Sequence, residues 1–189
     1  MATIVEELDR DHRNLRALFQ VLERQLSLLR AGGDVDFTLI EAVLDYCQSY
    51  GDRCHHPTED LVYAALERDS GTIGDLSRDL HTEHRSLAEL TTTFREMLED
   101  VLGGGVLPRD RLILVAERFL ADYRNHMHLE EQFLFPAARR LLGNADWDRI
   151  AEQSERISDP LFSEQVETRF EALREYIRGM DRASVPPES

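Results

Sequence analysis

The chain has 189 residues, a formal net charge of −15, 42% hydrophobic residues and 31% charged residues, which is the composition of a globular protein of one domain. The negative charge disfavours binding to nucleic acid or to an anionic membrane surface, because basic patches bind both. No apolar run approaches the ~18 residues that span a bilayer, and the first residues do not resemble a signal peptide. We therefore expect a cytoplasmic protein with no nucleic-acid or membrane partner.

Apolar residues recur at helical spacing in four long segments, at about 4–30, 36–68, 74–102 and 109–142. Glycine-rich loops separate them, and very few stretches alternate with the period of a strand. Long helices joined by short loops predict an all-α fold, an up-down-up-down four-helix bundle. Pro57 and Pro136 lie inside the second and fourth segments, and each should kink or restart its helix.

The remainder of the chain predicts additional C-terminal helices. A short helix is expected near 147–157 and an amphipathic helix near 161–178. We expect residues 1–145 to form the bundle and residues 146–180 to form a helical extension. That extension would pack on the bundle or in a homodimer interface, and residues 181–189 would form a flexible tail.

Two pairs of sequence blocks indicate an internal repeat. DHRNLRAL at 11–18 resembles EHRSLAEL at 83–90, and HHPTED at 55–60 resembles HMHLEE at 126–131. The chain is therefore interpreted as two helical hairpins related by a pseudo-two-fold axis. That arrangement places matched histidines opposite one another in the bundle core.

A set of histidines and glutamates carries the predicted chemistry. Each predicted helix points one imidazole at the core, and the second and fourth helices add a carboxylate one turn further on. Burying two carboxylates among imidazoles would be costly without metal. Bundle proteins build di-metal carboxylate sites in this way, and these ligands suit iron, manganese or zinc. The predicted metal ligands, with both carboxylates bridging the ions, are His12, His55, Glu59, His84, His126 and Glu130.

The sequence offers one additional and one alternative ligand, and two other histidines are not predicted as ligands. His81, three residues before His84, is the candidate for a fifth histidine ligand, and Glu131 is the alternative to Glu130. His56 and His128 are predicted to turn away from the ligand face, to the surface or behind the ligands.

Two further pairs of residues have supporting roles in the prediction. Asp60 and Glu131 are expected to neutralise arginines or to hydrogen-bond the metal-binding histidines. Tyr50 and Tyr123 are expected to pack in the core, with a hydrogen bond to a metal-bound molecule as the alternative.

The order of these residues resembles the hemerythrin HHE cation-binding domain. The blocks DHRNL, HHPTEDLVY and HMHLEEQFLFP are similar to that family's blocks, and Trp147 with the segment 159–162 resembles a bacterial hemerythrin-like subgroup. The resemblance implies a non-haem di-iron centre, oxo- or hydroxo-bridged, that binds or reacts with dioxygen, nitric oxide or peroxide. Iron is favoured over manganese and zinc.

The resemblance leaves the function open between three classes. The first is a protein that binds or senses the small molecule. The second is an enzyme that removes peroxide or nitric oxide, or that donates iron for cluster repair. The third is iron storage or handling. Animal oxygen carriers of the family use five histidines and place the second bridging carboxylate one residue further along, so a four-histidine centre points away from simple reversible oxygen carriage.

Overall fold

The computed structural model describes residues 3–70, 74–155 and 157–184, and the side chains of 69–81 and 184 lie outside the described part. The fold is all-α in this part of the chain, and the four predicted segments are confirmed as long helical runs. The second and fourth runs each contain a π-helix. In chain order the elements are α1 (Ile4–Ala31), α2 (Phe37–Tyr46), π1 (Cys47–His55), α3 (His56–Ser70), α4 (Gly74–Leu102), α5 (Arg109–Leu129), π2 (Glu130–Leu134) and α6 (Phe135–Leu141).

The four runs pack as a bundle. The first run contacts the second and the fourth, and the third run also contacts the second and the fourth. This is the neighbour relation of an up-down-up-down bundle.

The ends of α1 show why it begins and stops where it does. Thr3 and Glu6 form a capping box at its start, and Gly32, with φ 69°, closes it in the left-handed conformation that favours glycine.

The π-helices mark where the second and fourth runs change register. The N–H of His56 donates to the Gly51 carbonyl, and the N–H of Phe135 donates to the Glu130 carbonyl. Each bond spans five residues instead of four. A proline follows each π-helix, at the second residue of α3 and of α6. Proline has no N–H to continue the ladder, and the predicted restart at Pro57 and Pro136 is confirmed.

A polar layer divides the core of the bundle. The larger apolar cluster is built from residues such as Leu22, Val43, Phe94 and Phe119. A smaller cluster, with Leu8, Val62 and Phe135 among its members, lies at the other end. Along α1, the smaller cluster ends at Leu8 and the larger one begins at Leu15. The buried histidines and glutamates lie between these two clusters, where four helices surround them.

Two more helices follow the bundle. The helix α7 (Asn144–Gln153) contacts α3, and α8 (Glu171–Ser184) contacts α1 and α2. The predicted helix near 147–157 therefore begins and ends earlier than expected. The predicted helix at 161–178 is wrong for residues 161–170, which form turns and a 3-10 helix. Residues 181–184 of the predicted tail belong to α8, and residues 185–189 lie outside the described part.

Asp159 explains the break in the predicted C-terminal helix. Its Oδ1 accepts the N–H groups of Leu161 and Phe162 at 2.9 and 2.7 Å, a local turn that competes with a helix. Its Oδ2 accepts from Asn14 Nδ2 and from the Tyr46 hydroxyl at 3.1 and 2.9 Å. This carboxylate therefore fastens the segment after α7 to α1 and α2, and α8 begins only at Glu171.

Candidate metal centre

Imidazole and carboxylate side chains form two groups in the polar layer, and Glu59 belongs to both. Within each group the ligand atoms lie within 4.8 Å of one another, and all the residues are buried. Position 1 denotes the group His12, His55 and Glu59. Position 2 denotes the group His56, Glu59, His84 and His126.

Glu59 and Glu130 lie between the two positions. Oε1 of Glu59 is 3.1 Å from His55 Nε2, whereas its Oε2 is 3.5 Å from His84 Nε2. The two oxygens therefore face different positions. Oε2 of Glu130 is 3.3 Å from the Nε2 atoms of both His12 and His126. Both carboxylates have the placement that bridging ligands require.

Unsatisfied polar atoms show that these residues fit a pair of metal ions. Among the described residues, His12 Nε2, both carboxylate oxygens of Glu59 and Oε2 of Glu130 are buried without a hydrogen-bond partner. Such groups cost free energy unless something compensates them. The Nε2 atoms of His84 and His126 converge to 3.1 Å, a separation suited to two ligands of one ion with bonds of about 2.1 Å. Imidazole and carboxylate form a donor set suited to iron.

Each of the five imidazoles also has a carboxylate oxygen near its Nδ1 atom. The pairs are His12 with Glu131 at 2.9 Å, His55 with Asp11 at 3.5 Å, His56 with Asp52 at 3.2 Å, His84 with Asp60 at 3.0 Å and His126 with Glu83 at 3.1 Å. The contacts of His55 and His56 are close, but they fall short of hydrogen-bond geometry. We call these five residues the outer carboxylates. They orient the rings so that Nε2 faces the centre.

Four of the outer carboxylates follow the internal repeat. Asp11 precedes His12 in the chain yet contacts His55, and Glu83 precedes His84 yet contacts His126. Asp60 and Glu131 follow Glu59 and Glu130, the two predicted bridging glutamates, and each contacts a histidine of another helix. The outer contacts therefore tie the helices of the bundle together around the centre, as the pseudo-two-fold axis predicts.

Three imidazoles are basic in the metal-free protein. Burial lowers the pKa of His12, but Glu130, Glu131 and Glu59 outweigh it and raise that pKa to about 11. Burial likewise lowers the pKa of His84, and its neighbouring carboxylates raise it to about 12. Burial also lowers the pKa of His55, but Glu59 and Asp11 outweigh it and raise that pKa to about 9. These rings are therefore protonated at neutral pH, and their positive charges balance the negative charges of the buried carboxylates.

The pKa values of His56 and Glu59 both lie below their usual values. Burial lowers the pKa of His56 to about 3, since Asp52 compensates only in part. Burial raises the pKa of Glu59, but the His55 charge and the contacts with His12, His55 and His84 outweigh it and hold that pKa well below its usual value. At neutral pH Glu59 is therefore ionised and His56 is neutral.

The structure brings the six predicted ligands into this one layer. Glu131, the alternative bridging carboxylate, instead contacts His12 Nδ1 and accepts two bonds from Arg16 Nη2, each at 2.6 Å. The side chain of His81 lies outside the described part of the chain. His128 is exposed as predicted.

His56 requires a correction. It was predicted to turn away from the centre, but it is buried and belongs to position 2. The prediction excluded His56 because consecutive residues of a helix point about 100° apart, but the centre has two positions, and His55 and His56 belong to different ones.

The tyrosine nearest the centre was not predicted. The Tyr63 hydroxyl donates to Glu130 Oε1 at 3.4 Å. The Tyr50 hydroxyl donates to Asp11 Oδ2, and the Tyr123 hydroxyl pairs with Thr91 in the core. Tyr63 lies four residues after Glu59, and this helical spacing from a predicted ligand was the signal that could have identified it.

Comparison with known proteins identifies the family. The family model described as hemerythrin HHE cation binding domain matches residues 3–138 and, in a second match, residues 75–186. The chain belongs to the hemerythrin HHE family. No curated protein matches it significantly. With its histidine and glutamate cluster, this hemerythrin HHE chain is a metal-binding helical protein. None of its described helices has the length and apolar character needed to cross a membrane.

Replacing Glu83 by glutamine should weaken metal binding by about 10- to 100-fold, which is the usual loss when an outer partner of a metal-binding histidine is removed. Glu83 holds Nδ1 of His126 at 3.1 Å, and the amide is a poorer acceptor than the carboxylate. Competition with a chelator of known affinity measures the change. Glu89→Gln, an exposed site on the same helix, is the matched control. Equal affinities for the two variants would contradict the orienting role of Glu83.

Proposed function

We propose that this protein holds two iron ions in the polar layer and uses them to bind or sense dioxygen, nitric oxide or peroxide. The observation that carries the proposal is that Glu59 belongs to both positions, since a carboxylate shared in this way is the usual bridge of a di-metal site. Glu130 contacts both positions as well. The mixed imidazole and carboxylate ligands favour iron over softer metals.

The surroundings of the centre support binding of a small molecule rather than turnover. Each outer carboxylate is already in contact with an imidazole. These carboxylates are therefore committed to orienting ligands and are poorly placed to act as general bases. The Tyr63 hydroxyl donates its proton to Glu130, which leaves its oxygen to accept a hydrogen bond from a bound molecule such as peroxide.

A cavity of about 480 Å³ reaches position 1. It lies between α1, π1 and residues 157–163, and its walls include Asp11, Tyr50, Cys54 and His55. A space of this kind supports access for diatomic molecules or peroxide to position 1. A smaller cavity of about 120 Å³ touches His126.

Cys47 and Cys54 are both buried as thiols, which agrees with a reducing compartment. We therefore also propose a cytoplasmic location.

Spectroscopy of reconstituted protein tests the function. The protein is purified without air, loaded with ferrous iron, desalted and analysed for metal, and its ultraviolet–visible spectrum is recorded before and after air is admitted. The proposal expects about two irons per chain and new near-ultraviolet bands that revert on degassing, or, with nitric oxide in place of air, new absorption bands of an iron–nitrosyl adduct. Zinc-loaded protein is the control, because zinc has no redox chemistry.

The other outcomes separate the competing functions. Irreversible bands with continuous consumption of added peroxide or nitric oxide would favour an enzyme. Release of the iron to an acceptor protein would favour iron donation, and uptake of many irons per chain would favour storage. Fewer than one iron per chain would refute the di-iron proposal.

A further inference from the structure

The internal repeat relates the metal-site residues of the two halves, except that His56 and its outer carboxylate Asp52 have no counterpart of the same kind. His55, Glu59 and Asp60 correspond to residues 71 positions later, and His12 and Asp11 correspond to residues 72 positions later. At the spacing that relates His55 to His126, the counterpart of His56 is Met127, which is buried in the larger apolar cluster. The first half therefore supplies an imidazole where the second half supplies a thioether.

The surroundings of His56 are those of a ligand rather than of a packing residue. Its ring stacks on that of His84 with centroids 4.4 Å apart, and its centroid is 5.7 Å from that of His126. Only 4% of its surface is exposed. Its Nδ1 lies 3.2 Å from Asp52, as the other four imidazoles lie near outer carboxylates. In this orientation Nε2 is the atom turned toward the shared centre.

One helical run presents two consecutive imidazoles to the centre. Successive residues of a helix point about 100° apart, and His55 and His56 accordingly belong to different positions, His55 to position 1 and His56 to position 2. The five-residue bond from the His56 N–H to the Gly51 carbonyl ends the π1 segment, which shifts the register of this run relative to α2. His56 is the residue at which α-helical bonding resumes, immediately before Pro57.

We propose that His56 is the fifth imidazole ligand of the centre and that it makes the two metal positions chemically unlike. This inference rests on the proposed di-metal function. Position 2 then has three imidazoles and position 1 has two, while Glu59 and Glu130 serve both. With fewer imidazole ligands, position 1 would be the one left to take an external molecule. The cavity beside His55 lies at position 1.

The substitution His56→Met tests this proposal. It installs the side chain that the second half of the chain carries at the equivalent buried place, so the fold has a precedent for it. Thioether sulfur is a soft ligand and a poor one for ferrous iron. We expect wild-type protein to keep about two irons after desalting, and His56→Met to bind the position 2 iron at least ~10-fold more weakly and keep about one. His128→Met, at an exposed histidine, should keep both.

Mössbauer spectra of protein reconstituted with ⁵⁷Fe provide a readout other than function. Wild-type protein and His128→Met should give two unlike iron signals of equal area, and His56→Met should lose one of them. Thermal unfolding of the metal-free variants checks that the fold is intact. If His56→Met does not fold, His56→Gln, which is polar and close in size, replaces it.

The outcomes for the two proposals are distinct. Two irons and the wild-type spectrum in a folded His56 variant would overturn the role of His56 while leaving the di-iron proposal in place. Fewer than one iron in the wild-type protein would overturn the di-iron proposal itself.

Discussion

Replacing Glu59 by glutamine is expected to reduce bound iron from about two to fewer than one per chain. Glu59 is the residue common to both positions, and its two oxygens face opposite sides of the centre. Glutamine keeps the shape but loses the negative charge and one of the two acceptor oxygens, so neither ion keeps its bridge. Metal analysis after anaerobic reconstitution and desalting measures the effect.

A matched substitution on the same helix separates loss of the bridge from general damage. Glu67 is exposed on α3, away from the polar layer, and Glu67→Gln should bind iron like the wild-type protein. Circular dichroism of both metal-free variants checks that the helices remain. Two tightly held irons in folded Glu59→Gln would show that Glu59 does not bridge the ions.

Loading the centre at pH 7 should release about three protons per chain, because metal must displace the protons on imidazoles whose pKa values are well above neutral. His12, His55 and His84 have pKa values of about 11, 9 and 12 in the metal-free protein. His56, with a pKa of about 3, has no proton to lose. Apparent affinity should therefore rise by up to about 1,000-fold per pH unit near neutrality. Titration calorimetry in buffers of different ionisation enthalpy counts the protons.

The metal-free protein provides an independent check of the same shifts. A histidine pKa raised on folding stabilises the protein fully below the unfolded value of about 6.5, and this contribution is lost as pH rises through the folded value. The melting temperature of the metal-free protein should therefore fall as pH increases from about 6.5 through 9. Metal-loaded protein should change less over that range. A pH-independent affinity, with no proton release, would mean that the three imidazoles are neutral before metal binds.

Much of the bundle and the centre followed from spacing in the sequence. The apolar period predicted the four long runs, and the placement of His12 and His84 on apolar stripes predicted that they face inward. The i, i+4 pairs His55 with Glu59 and His126 with Glu130 needed only ordinary helix geometry. Within the described residues all six meet in one layer. The hemerythrin HHE match agrees with the family that these motifs resemble.

The remaining features depend on geometry that an α-helical period does not contain. His56 was misplaced because consecutive residues can face the two different positions of one centre, His55 position 1 and His56 position 2. The partner of Asp11 is His55 rather than the adjacent His12, a choice that only the packing of two helices decides. The predicted C-terminal helix begins later than expected because the Asp159 side chain forms a local turn and a tertiary contact at once.

The π1 segment also bears on how such a centre can arise in a gene. A bond that spans five residues instead of four accommodates one residue more than the regular helix does, and α-helix continues on both sides of Cys47–His55. Insertion of a single codon into an α-helical ancestor is therefore sufficient to create such a segment without changing the rest of the bundle. The two halves carry their π-helices at different places, before Glu59 in the first half and from Glu130 onward in the second, so a separate insertion in each copy would shift different residues relative to the core. Two halves that began with equal ligands could in this way come to hold unequal ones.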